Sequence, residues 1–144
     1  MSAESAEDRY YPGLEGVIAS ETAIANIEGK DGAGGLEYRG YAIEDLAANV
    51  SYEEAAFLML HGDLPNREQL RDFSARLTKA RRTPDALVQL YKEIPASIHP
   101  MDVLRTSVSV LSHFDPEVSS SPTDHGANVR KAERMVAQMP TAIA

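Results

Sequence analysis

The stretch Ser51-Tyr52-Glu53-Glu54-Ala55-Ala56-Phe57-Leu58-Met59-Leu60-His61-Gly62 spells out a helix together with both of its ends. Ser51 and Glu54 fit a capping box, in which the serine oxygen accepts from the Glu54 amide and the Glu54 carboxylate reaches back. Phe57-Leu58-Met59-Leu60 makes the helix apolar on most sides, which predicts burial, and Gly62 is placed to stop it. Leu64-Pro65 then breaks the chain, and Asn66 with Gln69 offers a second cap. Leu70, Phe73 and Leu77 recur at i, i+3 and i+7, one face of an amphipathic helix. Lys79, Arg81 and Arg82 close it; cations there favour the helix dipole, an explanation that requires no phosphate ligand.

The same grammar extends in both directions. Downstream, Thr83-Pro84 begins a helix with proline at its first position, carrying Leu87, Leu90, Tyr91 and Ile94 until Pro95 stops it. His99-Pro100 opens another, with Met101, Leu104, Val108 and Leu111 on one stripe and Asp102 in the first turn. Residues 115–122 read as a polar loop, and a last helix over residues 126–139 places Val129, Ala132, Val136 and Met139 on one face. The chain then stops on apolar residues, Met139-Pro140-Thr141-Ala142-Ile143-Ala144. Upstream, residues 43–49 form a short helix. Before them, Val17-Ile18-Ala19 and Ala23-Ile24-Ala25-Asn26-Ile27 are joined to Leu36-Glu37-Tyr38-Arg39 by a glycine-rich connection, Gly29 to Gly35, which predicts a hairpin. The expected fold is mainly α, a run of amphipathic helices preceded by a small N-terminal β element.

Composition removes several classes of function. The chain has 144 residues, the length of one ordinary domain, with 43% hydrophobic and 25% charged residues, so wholesale disorder is not expected. Lys and Arg number 14 against 22 Asp and Glu, and the net charge of −8 argues against nucleic acid as the main partner. Cysteine is absent, which excludes disulfides, thiolate metal sites and a cysteine nucleophile, and points to a cytoplasmic setting. No apolar run approaches the roughly 18 residues that cross a bilayer. Residues 1–12 begin with the acidic run Met1-Ser2-Ala3-Glu4-Ser5-Ala6-Glu7-Asp8, unlike a secretion signal, and read as a flexible acidic tail.

The residues by themselves show no active site. Of the histidines His61, His99, His113 and His125, no pair has the spacing of a zinc helix. His61 beside Gly62 reads as a helix-end cap, and His99 before Pro100 as an N-cap. Gly32-Ala33-Gly34-Gly35 lacks the Lys-Ser/Thr pair of a phosphate loop, and no serine sits in a Gly-x-Ser-x-Gly elbow. The acid pairs Glu53-Glu54 and Glu44-Asp45 fall on solvated helix faces.

A resemblance goes further. Gly13-Leu14-Glu15-Gly16-Val17-Ile18-Ala19-Ser20-Glu21-Thr22, followed by Tyr38-Arg39-Gly40-Tyr41-Ala42-Ile43-Glu44-Asp45-Leu46-Ala47, resembles the opening of bacterial and archaeal citrate synthases, including 2-methylcitrate synthases. The likeness continues through residues 52–62 and 64–70, His99-Pro100-Met101-Asp102-Val103-Leu104-Arg105-Thr106, and the closing segment from Arg130 to Thr141. It implies a largely helical dimer whose large domain begins with residues 13–144, incomplete relative to the family. It also implies a reaction in which acetyl-CoA condenses with oxaloacetate to give citrate and CoA, within the tricarboxylic acid cycle. In such enzymes an aspartate takes a methyl proton from the thioester, one histidine stabilises the enol, a second polarises the oxaloacetate carbonyl, and arginines hold the carboxylates. Those groups are expected past residue 144, so no catalytic, cofactor-binding or metal residue is assigned in this chain. Acetyl-CoA enters only as substrate of the full-length form.

Asp124-His125-Gly126-Ala127-Asn128 resembles the family's catalytic His-Gly-Gly-Ala-Asn segment with one glycine missing, but in the wrong register. It precedes the Arg130-Lys131-Ala132 helix and reads as a helix start, with Asp124 or Thr123 as cap. Three readings follow. The chain is the N-terminal portion of a citrate synthase-type acyltransferase, inactive alone; or a short non-catalytic paralogue acting as a helical interaction module, able to associate with a full-length relative; or a short enzyme that uses His125.

Overall fold

The computed structural model describes residues 13, 16–18, 20–27 and 35–144; the acidic tail of residues 1–12 and most of the glycine-rich connection lie outside the described residues. Three two-residue strands, β1 (Ala25–Asn26), β2 (Glu37–Tyr38) and β3 (Tyr41–Ala42), precede six helices. These are α1 (Ile43–Asn49), α2 (Tyr52–His61), α3 (Arg67–Ala80), α4 (Asp85–Glu93), α5 (Pro100–Ser112) and α6 (His125–Ile143).

The strands form one antiparallel sheet in the order β1-β2-β3, with Ala25 opposite Tyr38 and Glu37 opposite Ala42. Pairing of residues 25–26 with 37–38 is the expected hairpin, and the Gly35 amide donates to the Ile27 carbonyl at 3.1 Å on its rim. Val17 and Ile18 are not in a strand; the third strand is Tyr41–Ala42, which sequence patterning passed over. It exists because Arg39 and Gly40 take φ of 52° and 85°, and positive φ at both central residues defines the tight turn whose twist suits a two-residue hairpin.

Both capping boxes form. The Ser51 amide donates to Glu54 Oε2 at 2.7 Å while Ser51 Oγ accepts from the Glu54 amide at 3.3 Å. Asn66 and Gln69 exchange the equivalent bonds at 2.8 and 2.9 Å. Gly62 ends α2 with φ of 100°, its amide donating to the Leu58 carbonyl at 2.8 Å. Glycine reaches this left-handed region without the steric penalty that a side chain would meet. Three helix ends differ from expectation. Pro84 is the residue before α4, not its first residue; α3 stops at Ala80, leaving Arg81 as its cap and Arg82 beyond it; and α6 begins at His125 and continues through Pro140 to Ile143.

The core joins the middle of the chain to its last helix. Phe57, Phe73, Leu77 and Ala137 form a buried cluster, flanked by Ala56, Leu60 and Ala80. The Phe57 and Phe73 rings meet edge to face with centroids 5.3 Å apart. Helix α6 packs on α2, α3 and α5, so it is the element that closes the body. Its inward stripe is not the expected one. Val129, Ala132, Val136 and Met139 are half-buried, whereas Ala127, Glu133 and Ala137 are buried. Alanine lets α6 approach the aromatic pair closely, and Glu133 can enter because its charge is met there. Similarly in α5, Met101 is 62% exposed and the buried positions are Ser107 and Leu111. The Ser107 hydroxyl donates to the Val103 carbonyl at 2.7 Å and accepts from the Tyr91 hydroxyl at 2.7 Å, which satisfies it inside the core.

Candidate functional site

A buried polar centre lies where α2, α3 and α6 meet. Glu133 on α6 is only 7% exposed. Arg76 on α3 grips it with a two-pronged fork, Nε to Oε2 at 2.9 Å and Nη2 to Oε1 at 3.0 Å. His61, the last residue of α2, brings Nε2 to 3.0 Å from Oε1 of the same carboxylate. Burial alone would push the Glu133 carboxyl up, but the Arg76 guanidinium and the His61 contact outweigh it and hold the carboxyl below its ordinary range. An ionised carboxylate only accepts hydrogen bonds, so Nε2 of His61 carries the proton in this contact.

His61 therefore does more than end a helix. Its ring stacks on Phe57 one turn earlier, with centroids 4.2 Å apart, and stands perpendicular to Phe73 at 6.0 Å. The expected cap at this end is supplied by Gly62 instead. The Arg76 guanidinium lies 5.5 Å from the centre of the Phe73 ring, so the aromatic pair of Phe57 and Phe73 underlies both Arg76 and the His61 ring.

His99 stands at the helix start that the sequence predicts. His99 Nδ1 accepts from the Met101 amide at 3.2 Å, as an N-cap. Of the two candidates for the start of α6, the cap is Asp124, whose Oδ1 accepts from the Ala127 amide at 2.9 Å. His125 follows it and lines a cleft of about 460 Å3 together with His61, Arg76, Gly126, Arg130 and Glu133. Two histidines and two arginines on one cleft suggest anion binding, but the local charge is already balanced. Arg76 is matched by Glu133, Arg130 by Glu117, and Asp124 sets a carboxylate at the helix start where an anion would sit. His125 has no hydrogen-bonded base or orienting carboxylate among the described residues. Nor is any group of three or more His, Asp or Glu placed to hold a metal ion there.

Two further clusters escaped sequence reading. The polar loop after α5 is tied down: Arg134 donates to Asp115 at 2.7 and 2.8 Å and to Glu117 at 2.9 Å, and Arg130 forks onto Glu117. The Arg134 bonds hold the Asp115 carboxyl below its ordinary range, against the opposing effect of burial. At the other end of the molecule the Arg39 side chain reaches from the tight turn to α2. Its Nη2 donates to the Met59 carbonyl at 3.0 Å and its Nη1 to the Ala23 carbonyl at 3.4 Å. Met59 belongs to the last turn of α2, whose carbonyls have no partner within the helix, so a cation is favourable there.

The described residues thus form a short sheet stapled to a helical body in which an ionic centre joins three helices. The chain belongs to the citrate synthase family. The family described as "Citrate synthase, C-terminal domain" matches residues 13–144. Similar proteins include 2-methylcitrate synthase 1 of Corynebacterium glutamicum, 39% identical over 132 residues, covering 92% of this chain and 34% of that protein. Citrate synthase of Acidithiobacillus ferridurans is 41% identical over 142 residues, covering 96% and 36%. Among solved structures, citrate synthase from Pyrobaculum aerophilum superposes with a TM-score of 0.80 at 34% identity, covering 90% of this chain and 34% of that one. The chain thus spans about a third of the length of the curated relatives it matches.

Proposed function

We propose that this chain supplies the N-terminal part of the large domain of a citrate synthase-type acyltransferase, with residues 13–144 as that part and residues 1–12 as an acidic extension. The complete enzyme would condense acetyl-CoA with oxaloacetate to give citrate and CoA, as a cytoplasmic homodimer. The observation that carries this reading is the family match across residues 13–144 in a chain about a third as long as its relatives. The catalytic aspartate and histidines of the family are assigned to the part that follows residue 144, and the 144 residues alone are proposed to be inactive. The charge-balanced cleft at His125 supports this, because general acid–base work needs a partner within hydrogen-bond reach.

The test is release of free thiol from purified chain mixed with oxaloacetate and either acetyl-CoA or propionyl-CoA. No turnover is expected with either thioester. Turnover that disappears in His125→Ala would overturn the proposal in favour of a short enzyme. A second reading, a non-catalytic helical module, draws on the buried cluster of Phe57, Phe73, Leu77 and Ala137, a core formed within this chain. Stable co-purification with a co-expressed full-length relative, without change in that relative's turnover, would favour it.

A further inference from the structure

We draw no further inference here: the strongest candidate, the apolar groove of about 780 Å3 that Val88, Tyr91, Met101, Leu104 and Ile143 line between the ends of α4, α5 and α6, carries nothing because nothing in the structure shows what covers it.

Discussion

Nε2 of His61 lies 3.0 Å from Oε1 of Glu133, a residue 72 positions further along the chain. This contact fastens the C-terminal end of α2 to the middle of α6, and Arg76 brings α3 to the same carboxylate. A carboxylate this deeply buried is stable only while its cationic partner remains, so the three side chains act as a unit.

Glu133→Gln keeps the shape of the side chain and removes its charge. It should destabilise the protein by about 1–3 kcal/mol, below the range for a fully buried pair because half of the Arg76 side chain remains in water. Urea unfolding of the wild type, Glu133→Gln, Arg76→Gln and the double variant measures this. The double variant should be less destabilised than the sum of the singles; strict additivity would mean that the pair is uncoupled.

Acid should weaken the fold through the same carboxylate and through Asp115. Both have folded-state values held below their ordinary ones, 4.5 for Glu133 and 3.8 for Asp115. The unfolded chain therefore binds protons more readily, and stability is fully present above those ordinary values and lost as pH falls through the depressed ones. Urea midpoints should be flat near neutrality and decline below about pH 4.5. The decline should be shallower in Glu133→Gln and Asp115→Asn; an unchanged slope in both would remove these groups from the account.

Much of the helical body was legible because its signals are local. Ser51 with Glu54, Asn66 with Gln69, Asp124 at the start of α6 and Gly62 at the end of α2 act within one turn of chain, and each is found where the pattern put it. What sequence could not supply was rotation and distance. The four apolar positions of α6 outvoted Glu133 because a carboxylate is normally solvated. Arg76, 57 positions earlier, and His61, 72 positions earlier, make its burial tolerable. The third strand was equally invisible, since arginine is an unusual occupant of a positive-φ turn position and its reward, the Met59 carbonyl, lies 20 residues away.

Arg39 gives a direct test of that staple. Arg39→Ala should cost about 1.5–3 kcal/mol, the usual range for a hydrogen bond from a charged group. Amide exchange should quicken at Arg39 and Ile43, whose N–H groups donate to the Ile24 and Leu36 carbonyls. Arg39→Lys keeps the charge without the fork and should recover only part of the protection. Unchanged exchange in the alanine variant would show that the sheet holds without the staple.

Gly62 and Gly126 separate conformational strain from steric crowding. A Cβ at Gly62 meets nothing within 4 Å, yet φ is +100°, so Gly62→Ala should cost about 1 kcal/mol through backbone strain alone. At Gly126 a Cβ comes to 3.3 Å from Nη1 of Arg130, the mobile end of a long side chain, in a helical backbone. Gly126→Ala should be neutral or stabilising by up to about 1 kcal/mol. Thermal unfolding should come at a lower temperature in Gly62→Ala and at an equal or higher one in Gly126→Ala; a loss at Gly126 would mean that Arg130 cannot yield.

The closing position of α6 also sets a timetable. On a ribosome adding about 5–20 residues per second, roughly 4–14 s separate emergence of His61 from that of Glu133. Until Glu133 arrives, His61, Arg76 and the Phe57–Phe73 pair stand without the carboxylate that joins them. The cluster of Phe57, Phe73 and Leu77 is completed only when Ala137 of α6 arrives, so α2 and α3 gain their partner late.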